Sequence, residues 1–301
     1  MNIVIPKPFD YDAQMQFLET SRAGLDAQIE PILDAVFQKN RVHTILIDGP
    51  VCAGKSGVAL EIKKKAEERG RLVKVIALTD FLKNRSVYAE ECKKKGIEAR
   101  QEALGALDLP YLKKCLDLIY SEDTALLPGY NMTEGVRCEW TPFTAREEHL
   151  IIIEGSYALN SRIKELVDEQ SVTKVYVDVS SNFESNRGSF VSNELRLARK
   201  FVKDGRKRFS TAEQIYRSWE HANEEQRKYL GGVADGCDFR VDTTMVHEPM
   251  MLKHEIVKVL GNVRSNSKIY TAAKKFLSRF SEFPEMDINL LPKDSFYCTF
   301  L

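Results

Sequence analysis

The sequence predicts an α/β fold, a parallel five-stranded sheet with helices on both faces. Two observations carry this expectation. Five strand-sized apolar runs alternate with segments of helical period, the pattern of a parallel sheet whose connections are helices. One of these runs ends in a glycine-containing turn that opens directly into a helix. With 301 residues and 43% hydrophobic content, the chain suits one large domain with additions, or two small ones, and has ample material for a core.

The elements follow in order. Residues 1–40 are helical after a proline-containing lead, with Leu25, Ile29, Ile32, Leu33, Val36 and Phe37 at helical spacing. Pro31 inside that pattern predicts a kink or a fresh helix start. This segment is expected to be an N-terminal extension on the outside of the domain. Residues 43–48, HTILID, form a short apolar run that suits a buried parallel strand. Residues 56–69 are helical, with Gly70 as the stop. Residues 72–78 make a second strand, while 81–107 are charged and show no clear period. Residues 108–120 read as a helix with Asp108 near its cap and Pro110 in its first turn. Residues 150–153, 174–179 and 237–241 supply three further strands. Tyr270, Phe276 and Phe280 form the apolar face of a C-terminal helix. The expected organisation is an extension over 1–40, a core domain over 41–262 and a helical tail over 263–301 packed on it.

Composition excludes several classes of function. Lys plus Arg and Asp plus Glu are each 44, so no global basic field exists to hold a nucleic acid or an anionic membrane. An anion site must be local. The N-terminus does not read as a signal peptide, and no apolar run approaches the roughly 20 residues of a membrane span. Six cysteines without a CxxC pair give little support for zinc or dithiol chemistry. Reduced thiols and a cytoplasmic location are expected. The five histidines show no metal-ligand spacing, and Trp140 and Trp219 are expected to be packing residues.

The local anion site is the run Gly49, Pro50, Val51, Cys52, Ala53, Gly54, Lys55, Ser56, followed by Gly57. It lies between an apolar strand and a helix, the context of a P-loop. Such a loop turns backbone N–H groups onto phosphate oxygens, and the helix N-terminus adds partial positive charge. Lys55 is expected to reach the β- and γ-phosphates of ATP, and the Ser56 hydroxyl to bind Mg²⁺. Cys52 is expected to be a small filler. A kinase also needs a metal-side carboxylate and a group to take the acceptor's proton. Two acids stand at strand C-termini, where ligands bind in open α/β sheets. Glu154 is expected on the metal side, and Asp80 as the group that orients the acceptor hydroxyl and accepts its proton. Asp80 could instead only cap a helix.

With these pieces placed, the sequence resembles the uridine kinase and phosphoribulokinase family of P-loop kinases, nearest to bacterial uridine kinase-like nucleoside kinases. The resemblance runs from about residue 30 to the C-terminus. The additional N-terminal domain of that branch is not expected here. Thr79-Asp80-Phe81 is similar to the family's Asp-containing segment. Ala106-Leu107-Asp108 is similar to the signature whose Asp binds sugar hydroxyls. Pro128 to Asn131, with Gly135 and Arg137, resembles the hairpin that closes over the acceptor. Glu154-Gly155 stands where the family has Glu-Gly, and Thr211 to Gln214 resembles a segment just after the lid. Residues 291–295 resemble the branch's C-terminal segment. The resemblance implies that Asp80, Asp108, Tyr130 and Arg137 bind the acceptor.

The same resemblance implies a helical lid at about 193–212, reading NELRLARKFVKDGRKR over 193–208. Arg196, Lys200 and Lys203 lie on one helical face, which by itself reads as solvated. In the family pattern, Arg199-Lys200 matches the first basic pair, Lys203-Asp204 an Arg-Asp, and Arg208 a later Arg. Lys200, Lys203 and Arg208 are therefore expected to neutralise the transferring phosphoryl group. Lys203 offers a point charge in place of a fork, and Phe209 and Ser210 replace a Gly and an Arg. Met132 and Gly135 stand where an aromatic and a His read a pyrimidine. The expectation is an ATP- and Mg²⁺-dependent kinase acting on a small-molecule hydroxyl, most plausibly of a nucleoside. Pantothenate, ribulose phosphate or nicotinamide riboside as acceptor, or a nucleotide-binding regulator without chemistry, are the alternatives. Oligomeric state, including a homo-oligomer, is not readable.

Overall fold

The structure is a computed structural model and describes residues 2–5, 9–38, 43–146, 148–184, 189–207, 210–229 and 232–292. In chain order the elements are β1 (Asn2–Ile3), α1 (Tyr11–Phe37), β2 (His43–Asp48), α2 (Lys55–Glu68), β3 (Val73–Ala77), α3 (Arg85–Lys94) and α4 (Leu109–Tyr120). Then come β4 (Thr124–Asn131), β5 (Val136–Thr144), β6 (Leu150–Glu154), α5 (Ser161–Lys164), β7 (Val172–Asp178) and β8 (Asn182–Phe183). The last are α6 (Ser192–Lys207), α7 (Ala212–Tyr229), β9 (Phe239–Asp242), α8 (Glu248–Gly261) and α9 (Tyr270–Phe280).

The five expected strands form one parallel sheet in the order β3-β6-β2-β7-β9. Side chains alternate across it, as the two-residue strand period requires. Ile45 and Ile47 enter one apolar core, with α1, α2, α6, α8 and α9, and Leu46 enters another, with α4 and the β4–β5 hairpin. All six residues of β2 are buried, which is why that strand reads as a continuous apolar run. No described helix is long and apolar enough to cross a membrane.

Three expectations change. The helix α1 is not an outside layer, since Ile29, Ile32 and Leu33 are fully buried in the core beneath the sheet. It also continues through Pro31 without a fresh start. Pro31 is exposed, so the carbonyl it leaves without a helix donor can turn to water, and the buried residues around it hold the helix in place. The charged stretch 81–107 contains α3, whose inward side chains are only Tyr88 and Cys92, too few for a visible period.

The sheet order positions the site. β6 lies between β3 and β2, with Glu154 in register with Ala77 on one side and Ile47 on the other. The C-terminal ends of β2, β6 and β3 therefore bring the loop after Asp48, Glu154 and the 3₁₀ turn Leu78–Phe81 side by side.

Candidate active site

The loop after β2 is held by its carbonyls. Lys55 Nζ donates to Gly49 O at 2.9 Å and Pro50 O at 3.0 Å. Arg196 Nη1 donates to Val51 O at 3.0 Å, and Arg199 Nη1 to Cys52 O at 3.2 Å. Thr243 Oγ1 donates to Ala53 O. Among the described residues, the amides of Val51, Cys52 and Gly54 have no backbone acceptor. A loop with its carbonyls engaged and the amides of Val51, Cys52 and Gly54 without a backbone acceptor has the form of an anion cradle at the start of α2. Gly49 admits no other residue, because a Cβ there would lie 1.9 Å from Val177 O. Cys52 sits at φ 59, a conformation that costs an L residue about 1–2 kcal/mol.

Lys55 is half-buried at the head of α2. Desolvation lowers its pKa, and the nearby Asp48 and Glu154 charges oppose that shift. The Ser56 hydroxyl donates to Glu154 Oε1 at 2.8 Å. A hydroxyl and a carboxylate in contact beside a phosphate cradle are hard oxygen donors, which suit Mg²⁺ completing its shell with phosphate and water. Among the described residues no cluster of three or more His, Cys, Asp or Glu could build a protein-only metal cage.

Asp80 stands in the 3₁₀ turn after β3. Burial raises its pKa to about 6, against a hydrogen bond from the Tyr130 amide, and the nearby Glu154 charge adds to the rise. A carboxylate with that value accepts a proton readily near neutral pH. Asp108 is the N-cap of α4, its Oδ1 accepting from Tyr111 N at 3.1 Å, while its Oδ2 accepts from Arg137 Nη2 at 3.0 Å. Arg137, on β5, also donates to Leu82 O and Phe81 O. The Tyr130 hydroxyl donates to Lys83 O at 3.3 Å. Asp108 and Arg137 line a cavity of about 760 Å³ with Lys83, Trp140 and Arg162. Asp80 and Tyr130 are thus joined through the Tyr130 amide, and Asp108 and Arg137 through an ion pair. The 310 turn and the hairpin place both pairs on one side of the sheet end.

In α6, the expected lid, Lys200 is engaged within the helix. Its ammonium pairs with Asp204 at 2.8 Å, one turn along, with both side chains buried. Arg196 and Arg199 are the cations that reach the loop instead. Arg199 is fully buried, forked onto Glu248 of α8 and bonded to Thr243 O. Lys203 lies close enough to Lys55 to depress its pKa. Arg208 lies outside the described residues, as do Phe209 and residues 293–295.

Sequence reasoning passed over Asp48, Thr243, Glu248 and Tyr229. Asp48 carried a signal, because it ends a strand as Glu154 does. Thr243 and Glu248 carried none, because their importance comes only from contact with Arg199 and the loop.

The model of the phosphoribulokinase / uridine kinase family matches residues 44–246. No curated protein sequence matches the chain. Among solved structures, a possible uridine kinase from Bacillus stearothermophilus is 15% identical, with 72% of this chain and 99% of that chain covered and a TM-score of 0.47. The YGR205w protein is 15% identical, with 75% and 94% covered and a TM-score of 0.50, a likeness of fold. Phosphoribulokinase from Rhodobacter spheroides is 16% identical, with 69% and 74% covered and a TM-score of 0.47.

Proposed function

Because the chain belongs to the phosphoribulokinase and uridine kinase family, a family of P-loop kinases that phosphorylate hydroxyl groups, we propose that it transfers the γ-phosphoryl of ATP to a nucleoside-like acceptor. One observation carries the reading: Lys55, the Ser56–Glu154 contact and Asp80 converge at the ends of three adjacent parallel strands. The loop from Gly49 to Gly57 holds the phosphates. The Ser56 hydroxyl and Glu154 would hold Mg²⁺, which would supply charge neutralisation when bound. Asp80 aligns the acceptor hydroxyl and takes its proton. Asp108, Tyr130 and Arg137 fix the rest of the acceptor. Lys55, Lys203 and, on the family pattern, Arg208 offset the charge of the transferring group. Arg196 and Arg199 act through the loop carbonyls they hold, and Lys200 acts through Asp204.

A second acceptor class is favoured by one contact. At Gly135, where the family's base-reading His would stand, a Cβ would meet Arg85 at 2.8 Å. Arg85 also donates to Met132 O at 2.8 Å, so its guanidinium fills the hairpin tip. Arg85 occupies space at the hairpin tip that a base would need, which supports an acceptor such as pantothenate or ribulose phosphate. ADP formation with each common nucleoside, pantothenate and ribulose 5-phosphate tests both. Turnover only with nucleosides supports the first reading, and turnover only with the others supports the second. ATP binding without ADP from any acceptor overturns both in favour of a nucleotide-binding regulator.

A further inference from the structure

Asp48, the last residue of β2, is fully buried and accepts four hydrogen bonds. Its Oδ1 accepts from Gly49 N at 2.6 Å and Tyr157 N at 3.2 Å. Its Oδ2 accepts from Leu159 N at 2.9 Å and from the Tyr229 hydroxyl at 2.7 Å. Three of these donors are main-chain amides, fixed once β2 and β6 pair. The fourth is a side chain at the last residue of α7, 181 positions away. The carboxylate therefore joins the first residue of the phosphate loop, the turn that follows Glu154, and the helix that follows the lid.

Two further features mark this junction. Tyr157 is held at φ 77, the left-handed region that an aromatic residue enters only when its surroundings impose it. What imposes it is visible. Its amide is bound by Asp48, its ring packs against Tyr229 at 4.7 Å, and its hydroxyl donates to Glu102 O at 2.9 Å. The loop around Glu102 is tied to α7 a second time, by Arg100 to Glu224 at 2.6 Å.

We propose that Tyr229 and Asp48 form a positioning pair that couples the seating of α7 to the phosphate loop and the Glu154 turn. This rests on the roles given above to Lys55 and Glu154. Asp48 and Glu154 are the charges that oppose the desolvation of Lys55. When α7 is seated, the Tyr229 hydroxyl completes the bonding of the Asp48 carboxylate and stabilises its ionised form. When α7 lifts away, a buried carboxylate is left one donor short, and its ionised form is less favoured. The groups that face it are Lys55 on α2, Tyr157 after β6, Tyr176 on β7 and Tyr229 on α7. The tyrosines all have raised pKa values, chiefly from burial, so they remain protonated, and Lys55 is the one basic side chain among these four groups.

The test is a cycle of Tyr229→Phe, Asp48→Asn and the double variant. Two quantities are read: hydrogen exchange at the amides of Gly49, Tyr157 and Leu159, and ADP formation against pH with the acceptor found by the panel. Tyr229→Phe should speed exchange at those amides about tenfold, the effect of losing one charge-assisted bond. It should lower kcat about tenfold at the acid end, adding to the fall that Asp80 sets there, and recover to within about twofold of wild type at high pH. Added to Asp48→Asn, it should change neither exchange nor rate by more than about twofold. Unchanged exchange in Tyr229→Phe, or fully additive effects in the double variant, overturns the pair. If Asp48→Asn does not fold, the pH recovery of Tyr229→Phe decides, since a merely structural defect would persist at every pH. If exchange responds while the wild type forms no ADP, the pair stands and the kinase reading of the site falls.

Discussion

On the donor side of the crevice, every carbonyl from Gly49 to Ala53 accepts a bond from a side chain. On the acceptor side, Asp108 and Arg137 bond each other beside an open cavity of about 760 Å³. The difference is one of means. On the function proposed above, phosphate would be bound by backbone amides, so the donor side needs one backbone shape, and the protein fixes that shape through carbonyls. The acceptor would be bound by side chains, whose partners can change without altering the backbone. Arg196, Arg199 and Thr243 would then be structural braces, while the side chains around the cavity would set specificity.

The largest expected effect bears on the chemistry between the two sides. Asp80→Asn should lower turnover by about 10²–10⁴-fold with ATP affinity unchanged, as measured by steady-state kinetics and calorimetry. Wild-type turnover in that variant removes Asp80 as the base. Its pKa of about 6, raised from 3.8, sets two opposite pH dependences. Activity needs the ionised form and should rise with pH through about 6. Stability runs the other way. The folded state holds this proton more tightly than the unfolded chain between 3.8 and about 6, so this residue's favourable contribution is present below that window and lost above it. Asp80→Asn should accordingly melt at a higher temperature than wild type at pH 7, with the gain vanishing near pH 4.

Next in size is a donor-side brace. Arg199→Ala leaves Glu248 buried without its partner and should cost about 3–5 kcal/mol in urea unfolding. A cost under about 1 kcal/mol would mean that the loop is held by its own turn and not by the web around it. The smallest change concerns specificity. Gly135 stands at φ 75 with Arg85 against it. Gly135→His should therefore cost about 1–2 kcal/mol and confer no nucleoside binding by itself. Paired with Arg85→Ala, it should admit the ring. Nucleoside turnover by Gly135→His alone would show that the hairpin tip is not what excludes a base.

Much of the site was legible because its motifs are local. The phosphate loop needs residues 49–56 in one conformation, and their spacing states it. Glu154 and Asp80 were proposed from one rule, that ligands gather at strand C-termini, and the structure places both at the ends of adjacent strands. The same rule applied to Asp48 would have found it too. Pro31 gave no fresh helix start, because a helix rule cannot know that its carbonyl partner faces water. Helical spacing places Lys200 on a face but does not say that Asp204, a turn away, pairs with it.

The sequence by itself determined the phosphate-loop motif, the parallel sheet and the acidic groups at its edge, since each is written in contiguous residues with a fixed period or spacing. Only the tertiary structure decided which cations brace the loop and which partner completes Asp48. Arg199 meets Glu248 across 49 positions, and Tyr229 meets Asp48 across 181. Such pairs leave no periodic trace along the chain. They exist because packing helices on both faces of one sheet brings distant side chains into a dry interior, where an unpartnered charge is costly and each one must find a mate.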